Sequence, residues 1–137
     1  FDWTGTDDPT AALCVPHAID FLAGLQPGAW QGLRSRNHQL VLAGRRMLAE
    51  TLDLPMPCPE AMIGSLASLP LPARGREPES QPFDRDPLQD RLLTRWGIEV
   101  PIIPWPKPPN RLLRISAQVY NSRNDYKRLC EALVSEL

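Results

Sequence analysis

The spacing of apolar and polar residues along this chain predicts helices first and strands later. Between residues 29 and 52, apolar residues recur at three- and four-residue steps, which places them on one face of a long helix. Its apolar stripe consists of Trp30, Leu33, Asn37, Leu40, Val41, Gly44, Met47, Leu48 and Leu52. A shorter helix is predicted to begin at Pro9 or Thr10, after two aspartates, with a kink or a fresh start at Pro16 because proline lacks an N–H donor.

Three later segments have the features of β-strands. "AMIGSLASLPLP" is bounded by prolines, which cannot donate to a strand ladder, and "IEVPIIPWP" precedes a proline-rich turn. In "RLLRISAQVYN", Leu113, Ile115 and Ala117 alternate with Arg114 and Ser116, so one face is apolar and the other is polar. The last two segments can pair as an antiparallel hairpin with a long loop.

Residues typical of helix ends predict two more helices. Asp86 is placed as an N-cap before Pro87, and Gly97 ends that short helix. Ser122 and Asp125 resemble a capping box before a final amphipathic helix. The charged, proline-rich stretch 73–86 is predicted to be a loop. The order of elements indicates an α+β fold with a small, mostly antiparallel three-stranded sheet and helices on one face.

Composition narrows the classes of partner. The chain has 137 residues and a net charge of -1, so it carries no electrostatic footprint for nucleic acid or an anionic membrane. Its apolar runs are broken well before the ~20 residues that a membrane-spanning helix needs. We therefore expect a cytoplasmic protein without nucleic-acid or membrane partners.

Few residues are candidates for catalytic or metal-binding groups. The chain has three cysteines, Cys14, Cys58 and Cys130, an odd number with wide spacing. Because no histidine lies near them at the spacing of a zinc site, we interpret them as reduced and mostly packed. His17 and His38 lie far apart and are weak catalytic candidates. The arginines of the second helix predict a solvated helix face and receive no function. No metal site is expected.

Five segments together resemble a known family. They are "WTGTDDPTAAL", the "RN" of Arg36 and Asn37, "MIGSLASLPLP", "WGIEVPI" and "LLRISAQVYNSRNDYKRL". In this order they resemble the C-terminal third of class V aminotransferase-type enzymes, which are pyridoxal phosphate enzymes of fold type I. The isopenicillin N epimerase-like branch is the most similar, and cysteine desulfurases are more distant relatives.

The resemblance implies roles for three residues. Arg114 would hold the α-carboxylate of an amino-acid substrate, while Gly5 and Thr6 would approach the phosphate of pyridoxal phosphate in the partner subunit of a homodimer. A planar, forked guanidinium suits the first role because it can bind a carboxylate through two parallel hydrogen bonds. The resemblance further implies that residues 1–28 end the large cofactor-binding domain and that residues 29–137 form the small C-terminal domain.

The chain has no motif for the lysine that forms a Schiff base with the cofactor. Its two lysines, Lys107 and Lys127, lie in other contexts, and the family's cofactor lysine belongs to the upstream domain. We therefore expect a fragment that is inactive alone, from an enzyme that acts at the α-carbon of an amino acid. Two alternatives stay open: a stand-alone, non-catalytic α+β module that binds a ligand or a protein, and a cysteine desulfurase-like enzyme, although no cysteine lies in the 73–86 loop.

Overall fold

A computed structural model describes Gly5, residues 8–73 and residues 85–137. Within these residues the helices are α1 (Thr10–Gly24), α2 (Ala29–Leu52), α3 (Pro87–Trp96) and α4 (Arg123–Glu136). The strands are β1 (Leu66–Leu71), β2 (Ile102–Pro104) and β3 (Arg111–Ser116), and one turn of 3-10 helix spans Glu60–Met62. Most of the predicted 73–86 loop lies outside the described residues.

The three strands form one antiparallel sheet with β3 in the centre, in the order β1-β3-β2. Strands β2 and β3 are the predicted hairpin, although β2 has only three residues. Helices and a small antiparallel sheet together confirm the predicted α+β class. Because β3 pairs on both sides, its backbone is the best-held part of the sheet.

The sheet buries one face against three helices. The inward side chains of the strands join a single apolar cluster with α2, α3 and α4, whose fully buried members include Val41, Leu48, Leu69, Leu88, Leu92, Leu113 and Leu133. Period-two alternation in the strands and the three- and four-residue steps in α2 therefore meet in one core. The other face of the sheet carries exposed and half-buried side chains.

The helix ends follow the predicted chemistry. The Asp86 carboxylate accepts a hydrogen bond from the Leu88 N–H at 2.9 Å, and Gly97 adopts φ 64°, the left-handed conformation that ends many helices. Both hydrogen bonds of the Ser122–Asp125 capping box are present. Of the kink or fresh start predicted at Pro16, the fresh start is wrong, because α1 continues through this residue as one helix, while the kink stays a prediction.

Helices α2 and α4 pack without spare room at Gly44. A Cβ atom added there would lie 2.7 Å from the Tyr126 ring, which is closer than non-bonded carbon atoms approach. The Tyr126 hydroxyl donates to the Ser116 carbonyl at 2.6 Å, so the same ring also reaches the end of β3. Gly44 lies in the predicted stripe of α2 because only glycine admits the tyrosine.

A cluster around Glu136 joins α3 to α4. The Glu136 carboxylate accepts hydrogen bonds from the Trp96 indole at 3.2 Å and from Arg91 Nε at 2.8 Å, and Arg95 lies 3.3 Å away. The Trp96 hydrogen bond is the main cause that lowers the pKa of Glu136, and the two arginines add to it against an opposing desolvation effect. The ionised carboxylate is therefore the form that holds these two helices together.

The chain divides into two compact units, residues 1–35 and residues 36–137, and the division falls within α2. In the first unit, α1 buries none of its residues. Its large apolar side chains are exposed, namely Leu13, Val15, Ile19 and Phe21. The predicted assignment of residues 1–28 to a larger domain stays a prediction.

None of the helices in the described ranges is long and apolar enough to cross a membrane.

Candidate functional site

The polar face of β3 places Arg114 at the centre of the open side of the sheet. Leu113 and Ile115 are 0% and 2% exposed, whereas Arg114 between them is exposed, which confirms the predicted alternation. The backbone at this position is fixed from both sides, because Arg114 pairs with Ser68 of β1 and its N–H donates to the Pro101 carbonyl at 3.0 Å. A rigid strand thus carries a side chain that faces away from the core.

The side chains around Arg114 on this face are small, hydroxylated or apolar. Ser68 lies directly across the strand pair, and Ser116 is two residues further along β3 on the same face. Leu112 lies on the other side of Arg114 and pairs with Pro70 and with Ile103. Among residues 8–73 and 85–137, the Arg114 guanidinium makes no hydrogen bond and no ion pair. The open face therefore offers one cation, free to receive an anion in two parallel hydrogen bonds.

Arg111, at the start of the same strand, has a different environment. Its Nη1 lies 2.9 and 3.0 Å from the two carboxylate oxygens of Asp86, and its Nε donates to the Pro72 carbonyl at 3.0 Å. The Arg111 and Asp86 side chains are only 12% and 9% exposed. Asp86 was predicted only as a helix cap, so the sequence reasoning missed its second role. Arg111 is a structural arginine that ties β3 to α3.

Arg36 holds the turn that follows β3, so the predicted solvated role of this arginine is wrong. Its guanidinium donates to the Gln118 carbonyl at 3.1 Å and to the Asn121 carbonyl at 2.9 Å. The neighbouring Asn37, which is buried, donates through Nδ2 to Gln118 Oε1 at 3.1 Å. The sequence signal was the placement of Asn37 within the apolar stripe, where a polar side chain needs a partner.

The predicted solvated position of Arg45 is also wrong. Its side chain is 2% exposed, and one guanidinium nitrogen donates to the Cys58 carbonyl, while its Nε has no hydrogen-bond partner in the part of the chain that the structure describes. Arg34 and Arg46 are exposed as predicted, and Arg46 forms a surface ion pair with Glu60 at 3.0 Å. Only half of this arginine set is therefore solvated.

The cysteines and histidines offer no catalytic cluster. Cys14 is exposed rather than packed, Cys58 is half-buried and Cys130 is buried, and all three are free thiols. Burial raises the pKa of the Cys130 thiol, which keeps it protonated and unreactive. His38 lies 3.1 Å from the Gly64 carbonyl, a structural contact. The described residues contain no group of histidine, cysteine and carboxylate side chains that could hold a metal ion.

Similarity to known proteins extends along nearly the whole chain. A probable chloroplastic L-cysteine desulfhydrase of Arabidopsis thaliana is 34% identical over 138 residues, covering 96% of this chain and 28% of that protein. Isopenicillin N epimerase of Amycolatopsis lactamdurans is 34% identical over 131 residues, covering 94% of this chain and 30% of that protein. The chain is therefore similar to one part of enzymes of the class V aminotransferase type. No family model matches it.

The chain spans less than a third of the length of these class V relatives. A putative L-cysteine desulfhydrase of Oryza sativa subsp. japonica is covered to the same extent, 30%, at 34% identity. The family resemblance read from the sequence is thus confirmed, and it extends to relatives named for two different reactions.

The described residues do not form a complete site for the pyridoxal phosphate of class V enzymes. Lys107 lies in the exposed loop between β2 and β3 and Lys127 is on the exposed side of α4, so neither is in a cleft where it could form a Schiff base. Thr6 lies outside the described residues. Gly5 is exposed with φ 95°, a backbone conformation that favours glycine, but no contact in the structure tests its role.

The start of α1 also bears on the expected phosphate contact. The Asp8 carboxylate accepts a hydrogen bond from the Thr10 N–H at 3.0 Å and another from the Thr10 hydroxyl. These bonds lower the pKa of Asp8, so the group is ionised at neutral pH. Asp8 thus occupies one of the free donors at this helix end. An anion at α1 would have to be bound by other groups.

Proposed function

We propose that this chain is the C-terminal, substrate-clamping domain of a pyridoxal phosphate-dependent enzyme that acts at the α-carbon of an amino acid. In this proposal Arg114 binds the substrate α-carboxylate. The observation that carries it is the exposed Arg114 guanidinium on the open face of the central strand, without a partner among the described residues, within a chain that is similar to one part of enzymes of the class V aminotransferase type. The cofactor lysine and most of the cofactor pocket would be supplied by the rest of the enzyme, which would be a cytoplasmic homodimer.

In this proposal the domain contributes to the reaction by orienting the substrate. The cofactor, when bound, supplies an electron sink for the bond that is broken at the α-carbon. A guanidinium with two parallel hydrogen bonds fixes the plane of the carboxylate as well as its position, and so fixes the direction of the neighbouring bonds. The strand pairs on both sides of Arg114 give the clamp a rigid base, and the flanking leucine, proline and isoleucine side chains limit the water that competes for the ion pair.

Two reactions at the α-carbon are candidates for the whole enzyme. Epimerisation, as in the isopenicillin N epimerase-like branch, is the reaction that the sequence resemblance first suggests. Removal of sulfur from L-cysteine is the second candidate, because the desulfhydrase of Arabidopsis thaliana matches at the same 34% identity as the epimerase of Amycolatopsis lactamdurans. Incubating the full-length enzyme with L-cysteine or with isopenicillin N separates them, since only removal of sulfur from L-cysteine releases sulfide and only epimerisation changes configuration without loss of atoms.

The stand-alone module is the weaker alternative. Relatives with enzyme names match 94–96% of the chain, including the strand that carries Arg114, and this favours a part of an enzyme over an independent binding domain. A module would bind its ligand without the other domain, so the isolated chain provides the test between them. Isothermal titration of the isolated chain with L-cysteine should give no measurable binding if the clamp needs the rest of the enzyme.

The proposed clamp is tested by a pair of ligands that differ only in the carboxylate. In the full-length enzyme, Arg114→Gln should weaken binding of L-cysteine by about 100-fold, because losing one partner of a desolvated charge pair costs about 2–5 kcal/mol. Binding of cysteamine, which lacks the carboxylate, should stay unchanged. Titrations followed by the cofactor absorbance measure both constants.

The matched control is Arg46→Gln, which removes an exposed arginine that pairs with Glu60 on the surface. It should change neither constant. An equal loss of affinity for both ligands in Arg114→Gln, or no loss for L-cysteine, would contradict a carboxylate clamp at this residue.

A further inference from the structure

The "RN" segment of α2 and the "QVYN" segment after β3 are the two halves of one hydrogen-bonded unit. Arg36 reaches the Gln118 and Asn121 carbonyls, which lie 82 and 85 residues away along the chain. Arg36 Nη1 also donates to Asn37 Oδ1 at 3.2 Å, so the two neighbours on the helix brace each other. The proposed carboxylate clamp uses neither Arg36 nor Asn37 directly.

The turn itself is closed by a second set of hydrogen bonds. The Gln118 N–H donates to Asn121 Oδ1 at 2.9 Å, and the Asn121 N–H donates back to the Gln118 carbonyl at 2.9 Å. Gln118 Oε1 accepts from both Asn37 Nδ2 and the Val119 N–H at 2.8 Å. Nearly every polar group at the ends of the turn is therefore used, which fixes a single conformation.

This unit begins where the sheet stops holding β3. The last ladder contact is the Ala117 N–H, which donates to the Ser65 carbonyl at 2.8 Å. Beyond it no strand within residues 8–73 and 85–137 supports the chain, and Arg36 donates to the Gln118 carbonyl instead. Arg114 lies four residues upstream, so the two ends of its strand segment are held by the sheet on one side and by α2 on the other.

We infer that Arg36, with Asn37, is a positioning residue for the carboxylate clamp: by fixing the turn 118–121 it holds the C-terminal end of β3 and thereby the place of the Arg114 side chain. The inference rests on the proposed function of Arg114. A guanidinium suits this task because its several N–H donors reach two carbonyls and an amide oxygen at once, which a lysine cannot do in the same geometry.

The test uses the full-length enzyme with two variants of Arg36 and one control. Arg36→Met keeps the apolar stem and removes the donors, and Arg36→Lys keeps the charge with fewer directed donors. The control is Arg34→Met on the same helix, because Arg34 is exposed and, among the described residues, bonds only to Gln31 of its own helix. The measured quantities are the dissociation constants of L-cysteine and cysteamine and the rate of turnover at saturating L-cysteine.

Arg36→Met should weaken L-cysteine binding by about tenfold, by analogy with the lower end of the loss when a residue that orients a metal-coordinating side chain is removed. Arg36→Lys should fall between Arg36→Met and the wild type. Cysteamine binding should stay unchanged in both, and Arg34→Met should match the wild type for both ligands. A purely structural role would weaken both ligands alike or neither, and either of these results overturns the inference.

The outcome is distinguishable from failure of the clamp itself. A carboxylate-selective loss in Arg114→Gln together with no selective loss in both Arg36 variants would leave the proposed function standing and reject the positioning role. No selective loss in Arg114→Gln would reject the proposed function, and the inference with it. The milder Arg36→Lys variant gives a folded protein for this comparison if Arg36→Met is too unstable to purify.

Discussion

Arg111 and Arg114 lie three residues apart on β3, yet they face opposite sides of the sheet. Arg111 is on the side of Leu113 and Ile115, where it is 12% exposed and bound to both oxygens of Asp86. Arg114 is on the open side, exposed and without a partner in the described residues. Period two along the strand is the whole cause of the difference.

The comparison separates an arginine that stabilises the fold from one that is available to a ligand. A nearly buried guanidinium needs hydrogen-bonding or ionic partners, because a charge that lies away from water without partners is costly. An exposed guanidinium on a rigid strand has no such need, so its presence among small, hydroxylated and apolar side chains calls for another explanation. Substitutions at the two positions should therefore affect different properties, stability for Arg111 and carboxylate binding for Arg114.

The largest expected effect on stability is at Arg111. Arg111→Gln should lower the free energy of unfolding by about 3–5 kcal/mol, because it leaves the buried Asp86 carboxylate without its cation. Urea unfolding of the 137-residue chain measures the change. Arg85→Gln is the control, since Arg85 and Asp90 are 3.9 Å apart on the surface, with side chains 69% and 55% exposed. If Arg111→Gln lowers the free energy of unfolding no more than Arg85→Gln does, Arg111 does not stabilise the fold and the contrast with Arg114 fails.

The contact between α2 and α4, on the closed side of the sheet, should be destabilised by an added methyl group. Gly44→Ala should lower the free energy of unfolding by about 1–3 kcal/mol, because the new methyl group would overlap the Tyr126 ring at 2.7 Å. Gly64→Ala is the matched control, since a Cβ there meets nothing within 4 Å. If the two variants have equal urea midpoints, α2 and α4 are less tightly packed than the distance implies.

The hydrogen bonds and ion pairs of Glu136 should also make the stability of the fold depend on pH in acid. Since the folded-state pKa of Glu136 is lowered, its contribution to stability is fully present above the ordinary glutamate pKa of about 4.3 and is lost as the pH falls through the folded-state pKa. Glu136→Gln should therefore cost stability at neutral pH and flatten the fall of unfolding free energy below about pH 4.3. Urea titrations at several pH values measure both effects. An unchanged acid limb would mean that Trp96, Arg91 and Arg95 do not stabilise the ionised form.

The smallest stability effect is expected at Arg114 itself. Arg114→Gln should change the free energy of unfolding by no more than about 0.5 kcal/mol, since a surface substitution without lost contacts rarely costs more. The same urea experiment that detects Arg111→Gln provides this value. A loss of several kcal/mol would show that Arg114 has a structural partner and would reverse its assignment.

Local patterns predicted most of the fold. The bounds of α2, both ends of α3 and the capping box of α4 follow from residue spacing and from side chains that act within four positions. The alternation in β3 placed Arg114 on the open face for the same reason. These features depend on neighbours in the chain, and so they are visible in the sequence.

Long-range pairing could not be predicted in the same way. Arg36 and Arg45 were assigned to a solvated face and Arg111 received no role, because the first two donate mainly to backbone carbonyls, which every residue possesses. The third pairs with an aspartate 25 residues away whose capping role was already sufficient to explain it. The role of Arg114 came from the family resemblance, and the roles of Gly5 and Thr6 stay predictions.

The most direct measurement is a crystal structure of the full-length enzyme with an amino-acid substrate bound. The account predicts that the two substrate carboxylate oxygens lie at about 2.7–2.9 Å from two guanidinium nitrogens of Arg114, the distance of a charge-assisted pair. A carboxylate bound by other residues, with Arg114 directed to solvent or paired to a carboxylate of its own protein, would contradict the account.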